Sequence, residues 1–173
     1  MNRIAIIGSG GSGKSTLARQ LGRTLGLPVI HLDALFWRPG WVETPRDEWE
    51  VLQRTLIAAE RWFLDGNYGG TMEIRLRAAD TVIYLDLPRF VCLRAAVWRS
   101  LRGFGRTRAD VAPGCPEKLD LTFYRWIWEY PATRRPKILA RLARLPAATR
   151  VIRLRSRRDL CRFVNSLTPG SRV

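Results

Sequence analysis

The stretch "GSGGSGKST" (residues 8–16) sets a lysine and a serine directly behind a run of glycines, and Gly8-x4-Gly13-Lys14-Ser15 has the spacing of a phosphate-binding loop. Glycine at this density lets the backbone curl until the N–H groups of Gly8, Ser9, Gly10, Gly11, Ser12, Gly13 and the residues through Thr16 turn inward around an anion. The start of the following helix adds its own partial positive charge. The Lys14 ammonium is placed to bridge a β- and a γ-phosphate, and the Ser15 hydroxyl to ligate Mg2+. The implied ligands are ATP and Mg2+.

Such a loop needs acidic groups near the metal, at the ends of neighbouring strands. Asp33 closes "VIHLD" and Asp65 closes "RWFLDGN". In parallel α/β sheets ligands gather at the carboxyl ends of the strands, so both aspartates can face the phosphates. Asp65 suits a water-mediated Mg2+ holder and Asp33 the carboxylate on the acceptor side, although either would also serve as a cap for the next turn. Asp86, inside "YLDLP", receives no role. His31, the single histidine, fits a base or a satisfied residue near the core.

Positive charge is the other chemical resource. Arg99, Arg102 and Arg106 fall at i, i+3 and i+7, the spacing of one helical stripe, with Arg108, Arg134 and Arg135 further on. Arginines brought over a transferring phosphoryl group neutralise the charge that develops there. Arg99 is the first candidate for that work and Arg135 the second. Phe36, Trp37 and Trp41 lie just after Asp33, where they could stack on an acceptor ring or be core.

These residues require a scaffold. Five apolar runs read as buried strands: "RIAII" (3–7), "PVIHL" (28–32), "RWFL" (61–64), "TVIYLDL" (81–87) and "RVIRL" (150–154). Helical periodicity between them predicts an α/β, three-layer fold with a five-stranded parallel sheet covered by helices on both faces. The first helix is expected over 14–25, stopped by Gly26 and Pro28. Thr44 is expected as the N-cap of the next, with Pro45 at N1 and Asp47 closing a capping box; Ser156 and Asp159 repeat that spacing before the last helix. More than sixty residues separate the fourth and fifth strands, beyond any ordinary connection. They hold a helix at about 89–101, a Gly/Arg/Pro-rich segment and two more helices, which predicts one domain over 1–173 with a lid excursion at about 102–133. "FYRWIWEYP" sets Phe123, Trp126, Ile127 and Tyr130 at helical spacing, the packing face of that excursion.

The bulk numbers set limits. No apolar run approaches the ~20 residues that span a bilayer. The short "IAII" leads into a glycine loop rather than a cleavage site, so a cytoplasmic protein without membrane partners is expected. Cys92, Cys115 and Cys161 are odd in number and widely spaced, which argues against a disulfide framework or a zinc site. The net charge is +15, and only Lys14, Lys118 and Lys137 among the thirty basic residues are lysines. An arginine-rich surface attracts polyanions, whether nucleotide or nucleic acid, yet the charge is dispersed rather than gathered in one tail.

The loop, with "FLDGN" and "IYLDLP", resembles adenylate kinase and its nucleoside-monophosphate-kinase relatives. Within that superfamily the chain looks most like the topology modulation proteins, through "HLDALFWRPGW", "LDGNYGGT", "GRTRADVAPGCPEKLDL", "RWIWEYP" and "RLRSRRD". The resemblance implies a P-loop fold with strand order 2-3-1-4-5 and a catalytic lid arginine eleven residues after Pro88, at Arg99. One departure stands out. Adenylate kinases follow the Asp-Gly pair with an aromatic-Pro-Arg that grips the acceptor monophosphate, whereas this chain has Asn67-Tyr68-Gly69-Gly70, which leaves Arg38 or Arg75 to replace that grip. The reading is an ATP-dependent kinase with Lys14, Asp33, Arg99 and Arg135 in catalysis and an unidentified small acceptor. The alternative is a nucleic-acid-associated ATP-binding protein acting on DNA topology. Monomer and dimer both fit.

Overall fold

Consecutive residues of the first strand, β1 (Arg3–Gly8), face opposite ways and are buried on both sides. Ile4 and Ile6 pack with Leu17, Ala18, Leu21 and Phe63, while Ala5 and Ile7 pack with Trp49, Met72, Leu76 and Tyr130. A strand buried on both faces belongs to the middle of a parallel sheet covered by helices, so the near-continuous apolar run is the direct cause of the layer architecture.

The computed structural model describes residues 1–167. After β1 come α1 (Lys14–Leu25), β2 (Val29–His31), α2 (Leu32–Phe36), β3 (Trp37–Arg38), β4 (Val42–Glu43), α3 (Arg46–Ile57), β5 (Trp62–Asp65) and α4 (Met72–Ala78). The chain continues through β6 (Thr81–Leu85), α5 (Arg89–Arg102), α6 (Leu121–Thr133), α7 (Arg135–Leu142), β7 (Arg150–Leu154) and α8 (Arg157–Leu167). The five-stranded sheet is ordered β2-β5-β1-β6-β7, every neighbour parallel. In terms of the five apolar runs this is 2-3-1-4-5, the order that the kinase resemblance implies. Helices α1 and α8 cover one face; α3, α4, α6 and α7 cover the other.

Local signals read in the sequence have mixed outcomes. Gly26 caps α1 in the left-handed conformation at φ 61°, and Ser156 and Asp159 form their reciprocal box, at 2.9 and 3.1 Å. The box expected at Thr44 does not form. Pro45 is the N-cap of α3 and carries no capping side chain, because the Thr44 hydroxyl instead donates to the Phe36 carbonyl at 2.6 Å. That bond ties the end of a hairpin back to α2. The hairpin itself, β3 against β4, is too short to show as an apolar run.

The arginine stripe is also broken. Helix α5 ends at Arg102, with Gly103 as its C-cap, so Arg106 lies in the loop beyond and not on the helical face of Arg99. Helix α6 packs along α5 and reaches the sheet core through Tyr130, with Ile127 fully buried between. Its Phe123, Trp126, Ile127 and Tyr130 therefore form a packing face against the body of the fold.

Candidate active site

Sheet register brings the chemistry together. Asp65 is the register partner of Ile6 in β1 and of His31 in β2, so the ends of three adjacent strands converge beside the glycine loop. His31 Nδ1 lies 2.8 Å from Asp65 Oδ2. Among the described residues, Asp65 Oδ1 is buried with no hydrogen-bond partner. A buried carboxylate oxygen left unpaired is costly, so this atom is open to a partner that the protein itself does not supply.

The loop runs from Gly8 to the first turn of α1. Gly11 has φ 71°, and a Cβ there would sit 2.1 Å from the Cys92 carbonyl of α5. At Gly10 a Cβ would meet the Phe123 ring at 2.5 Å. Glycine is thus demanded by backbone curvature and by the close approach of α5 and α6. Gly13 is the N-cap of α1, no side chain caps that end, and its first turn holds no acid. Those amides are free for an anion. Lys14 folds back, its Nζ donating to the Ser9 carbonyl at 2.9 Å. Burial lowers the Lys14 pKa, while Asp65 and Asp33, both near it, work to raise it.

Asp33 sits in the first turn of α2 and accepts from the Tyr68 hydroxyl at 2.5 Å. Burial pushes its carboxyl above the usual range, against the opposing pull of Tyr68 and Lys14. Tyr68 has φ 38°, an uncommon backbone state for a residue with a side chain. It is held there by the Phe36 and Trp49 rings, at centroid distances of 4.4 and 4.9 Å.

The departure from the aromatic-Pro-Arg pattern now has a structural meaning. Asn67 clasps the start of the glycine loop: its Oδ1 accepts from the Gly8 N–H at 2.9 Å and its Nδ2 donates to the Gly8 carbonyl at 2.5 Å. Arg75 is buried and donates to the carbonyls of Gly66 and Asn67, to Gln53 and to Thr71, at 3.3, 2.5, 2.6 and 3.2 Å. Burial draws its pKa down to about 9, so it stays charged at neutral pH. Arg75 is therefore spent on building the 66–71 loop and does not take over the acceptor grip. Arg38 is paired with Glu48 at 2.5 Å.

Over the site runs the 103–120 loop between α5 and α6. Buried Glu117 holds two arginines, Arg99 Nε at 3.2 Å and Arg108 Nε at 2.5 Å from its Oε1, while Ser100 donates to its Oε2 at 3.1 Å. Burial and the adjacent Arg108 lower the Arg99 pKa, with Glu117 opposing. Arg99 is close enough to perturb Lys14, and Arg108 to perturb Asp33. Arg102 instead stacks on Trp98, 4.9 Å from its ring, on the outside of α5.

The loop is pinned to the hairpin. Gly40 donates to the Gly114 carbonyl at 2.8 Å and Trp41 Nε1 to the Pro116 carbonyl at 3.0 Å. Trp37 and Trp41 pack on Val111, Ala112 and Cys115, and Phe36 packs in the core with Trp49 and Tyr68. The three aromatics are thus occupied by protein, which resolves the two readings of them in favour of packing.

Arg135 lies apart from this group. Its Nε donates to Asp86 at 2.9 and 3.1 Å, and Arg153 Nε joins the same carboxylate at 2.9 Å. Asp86 follows β6, whose Leu85 is the register partner of Gly8, so it flanks the loop from the far side.

Asp86, Asn67, Glu117 and Asp110 are the residues that sequence reasoning missed. A signal existed for two of them: Asp110 and Glu117 are the only acids in the arginine-rich stretch 102–117. Among the described residues no group of three His, Cys, Asp or Glu side chains forms a metal cage, and no helix is long and apolar enough to cross a membrane.

No family model matches the chain, and no curated protein matches it. Solved structures do. The shikimate kinase from Acinetobacter baumannii, in complex with shikimate, aligns with a TM-score of 0.62 at 17% identity, over 96% of this chain and 92% of its own. The shikimate kinase from Bacteroides thetaiotaomicron gives 0.60 at 17% identity, over 96% of each chain. This chain has the P-loop kinase fold. A gluconokinase from Sinorhizobium meliloti aligns more loosely, with a TM-score of 0.53 at 15% identity, over 96% of this chain and 89% of its own. At such identities the likeness is one of fold. The resemblance to topology modulation proteins gains no support from these matches and rests on the sequence stretches that carry it.

Proposed function

We propose that the protein is an ATP-dependent phosphotransferase that passes the γ-phosphate to a hydroxyl of a small acceptor. The observation that carries this reading is that Lys14 of the glycine loop, Asp33 and Arg99 lie near enough to feel one another's charge, and that Glu117 of the 103–120 loop holds Arg99 together with the loop's own Arg108. A carboxylate such as Asp33 could activate water or an acceptor hydroxyl alike; transfer is favoured by the arginine-bearing 103–120 loop drawn over the site, which would exclude water.

The residues fit MgATP, since the unpaired Asp65 oxygen and the uncapped start of α1 both lack partners that such a ligand supplies. The nucleotide's phosphates would lie along Gly8–Thr16. Ser15 and, through water, Asp65 would hold Mg2+, which when bound offsets charge on the β- and γ-oxygens. Asp33 accepts the acceptor's hydroxyl proton as the new O–P bond forms and the bond from the γ-phosphorus to the bridging oxygen breaks, releasing ADP. Burial raises the basicity of Asp33, and Tyr68 fixes its orientation. Lys14, Arg99 and Arg108 neutralise the equatorial charge, and the 103–120 loop excludes water. Arg135 acts at a distance, by orienting Asp86 beside the loop.

The acceptor class takes its cue from the fold neighbours, a shikimate kinase and a gluconokinase, whose named substrates are hydroxylated acids. A coupled ADP-release assay over hydroxy acids, sugars, nucleosides and nucleoside monophosphates tests the reading. One acceptor is expected to raise ADP release at least about a hundredfold over the water background. ATP binding with no acceptor doing so would overturn it.

A second reading, binding of nucleic acid, is favoured by the basic aromatic exterior of α5 and α6, where Arg89 lies 4.1 Å from the Trp128 ring and Arg102 caps Trp98. Binding at 150 mM salt that is abolished by charge reversal at these two arginines would support it.

A further inference from the structure

The hairpin of β3 and β4 turns through Pro39-Gly40-Trp41, and its tip is strained. Trp41 holds φ 64°, a left-handed state that is rare for a bulky aromatic residue. Gly40 beside it takes φ 80° at no cost. A strained residue persists only where its surroundings over-determine it.

What holds Trp41 there is the 103–120 loop. Its Nε1 donates to the Pro116 carbonyl at 3.0 Å, and its ring packs with Trp37 on Val111, Ala112 and Cys115. The Gly40 N–H donates to the Gly114 carbonyl at 2.8 Å, and the Cys115 thiol to the Arg38 carbonyl at 3.2 Å. Gly114 has φ 77°, and a Cβ there would stand 3.0 Å from Pro39. Hairpin tip and loop therefore meet through a close-fitted interface of their own.

The two sides of that interface differ in what they carry. The hairpin is rooted in the body of the fold: Thr44 donates to the Phe36 carbonyl from its N–H at 3.0 Å and its hydroxyl at 2.6 Å, and Phe36 packs on Trp49 and Tyr68. The loop carries charge. Pro116, the acceptor of the Trp41 bond, directly precedes Glu117, whose Oε1 takes both Arg99 and Arg108. Arg99 stands beside the glycine loop, 5.8 Å from the Phe123 ring that Gly10 makes room for. Where the loop sits on the hairpin thus decides where Glu117, and with it two guanidiniums, can stand.

We propose that Trp41 is a positioning residue for phosphoryl transfer: the hairpin tip is the seat on which the 103–120 loop docks, and Trp41 sets, through Glu117, the place of Arg99 and Arg108 over the phosphates. The inference rests on the kinase reading of the site. Trp41 acts through Glu117 and not by contact with nucleotide or acceptor.

A double-mutant cycle on Trp41 and Glu117, run with the acceptor that supports turnover, tests the link. Trp41→Gly suits the left-handed backbone while removing the side chain. It is expected to lower kcat about 10- to 100-fold, to move the KM for ATP less than about threefold, and to quicken amide hydrogen exchange over 104–117. Combined with Glu117→Gln it is expected to slow turnover no further than Glu117→Gln alone, to within about threefold, because both changes act on the same two arginines. Gly114→Ala opens the interface from the loop side and is expected to reproduce these effects; it carries the cycle should Trp41→Gly not fold. Losses that multiply in the double variant, unchanged exchange over 104–117, or quickened exchange with unchanged kcat would each overturn the proposal. If no acceptor supports turnover, the kinase reading itself fails and takes the proposal with it.

Discussion

Asn67 engages Gly8 through both ends of its amide, accepting the backbone N–H at 2.9 Å and donating to the carbonyl at 2.5 Å. The clasp joins the loop after β5 to the first residue of the glycine loop, 59 positions away in sequence. Asn67→Ala removes both bonds and leaves part-buried backbone groups unpaired, a loss of about 1–3 kcal/mol in denaturant unfolding. Analogue affinity is expected to fall about tenfold for each ~1.4 kcal/mol of that loss expressed in the loop. Asn67→Asp is expected to be worse than Asn67→Ala for nucleotide binding, because it adds a negative charge beside the phosphates. Titration calorimetry on the three proteins checks the order.

Arg75 supports that clasp from beneath. It is a buried cation whose hydrogen-bond partners are all neutral: Gln53, Thr71 and the carbonyls of Gly66 and Asn67. Arg75→Met keeps most of the apolar stem but orphans several acceptors, and is expected to destabilise the fold by at least about 3 kcal/mol. Arg75→Lys should recover only part, since an ammonium cannot reproduce the planar fork that spans two carbonyls. Thermal denaturation of the pair, read beside Asn67→Ala, distinguishes support of the loop from a direct role toward acceptor. A direct role would leave the melting temperature unmoved.

These two residues mark where sequence reading stops. The strands were legible because the three central apolar runs are buried on both faces, their order through the kinase resemblance, and the glycine loop because its spacing is tied to its chemistry. Asp65 was legible from its place at a strand end, whereas Asp33, expected at the end of the second strand, lies in the first turn of α2 because β2 stops at His31. Asn67 and Arg75 were not legible, because the pattern around them reads as a missing arginine, and only tertiary packing shows that an asparagine and a buried arginine rebuild the loop without it. The capping box failed at Thr44 for a similar reason: a carbonyl from α2, eight residues earlier in the chain, outcompetes the local amide. Arg99 was found and its partner Glu117 was not, since no local periodicity links residues 18 positions apart across a loop.

Glu117 binds Arg99 and Arg108 through one oxygen, so its removal leaves two partly buried cations facing each other. Glu117→Gln keeps the shape and removes the charge. The turnover of whichever acceptor proves active is expected to fall about 10- to 100-fold, as when an outer-shell partner that orients a reactive group is lost. Its KM for ATP should change less, because the partners of Glu117, Arg99, Arg108 and Ser100, lie outside the glycine loop. Amide hydrogen exchange over 104–117 should quicken at the same time. Lost turnover with unchanged exchange would mean that Glu117 acts on the reaction by charge rather than by holding the loop.

Asp86 supplies a pH signature. The Arg153 and Arg135 guanidiniums outweigh the cost of burial and hold its carboxyl below the ordinary value of 3.8. A carboxylate whose folded-state pKa is depressed contributes stability above its unfolded pKa and loses it as pH falls through the folded one. The contribution is therefore present in full at neutral pH and disappears below about pH 4. Asp86→Asn is expected to cost about 2 kcal/mol at pH 7, the scale of a charge-assisted hydrogen-bond pair in a half-buried setting. It should cost progressively less as pH falls below about 4, through the depressed folded-state value. Urea unfolding of both proteins from pH 7 to pH 3 gives the two curves, and the gap between them should narrow toward the acid end. Parallel curves across the whole range would show that the ion pairs add nothing and that Asp86 holds Arg135 and Arg153 by shape alone.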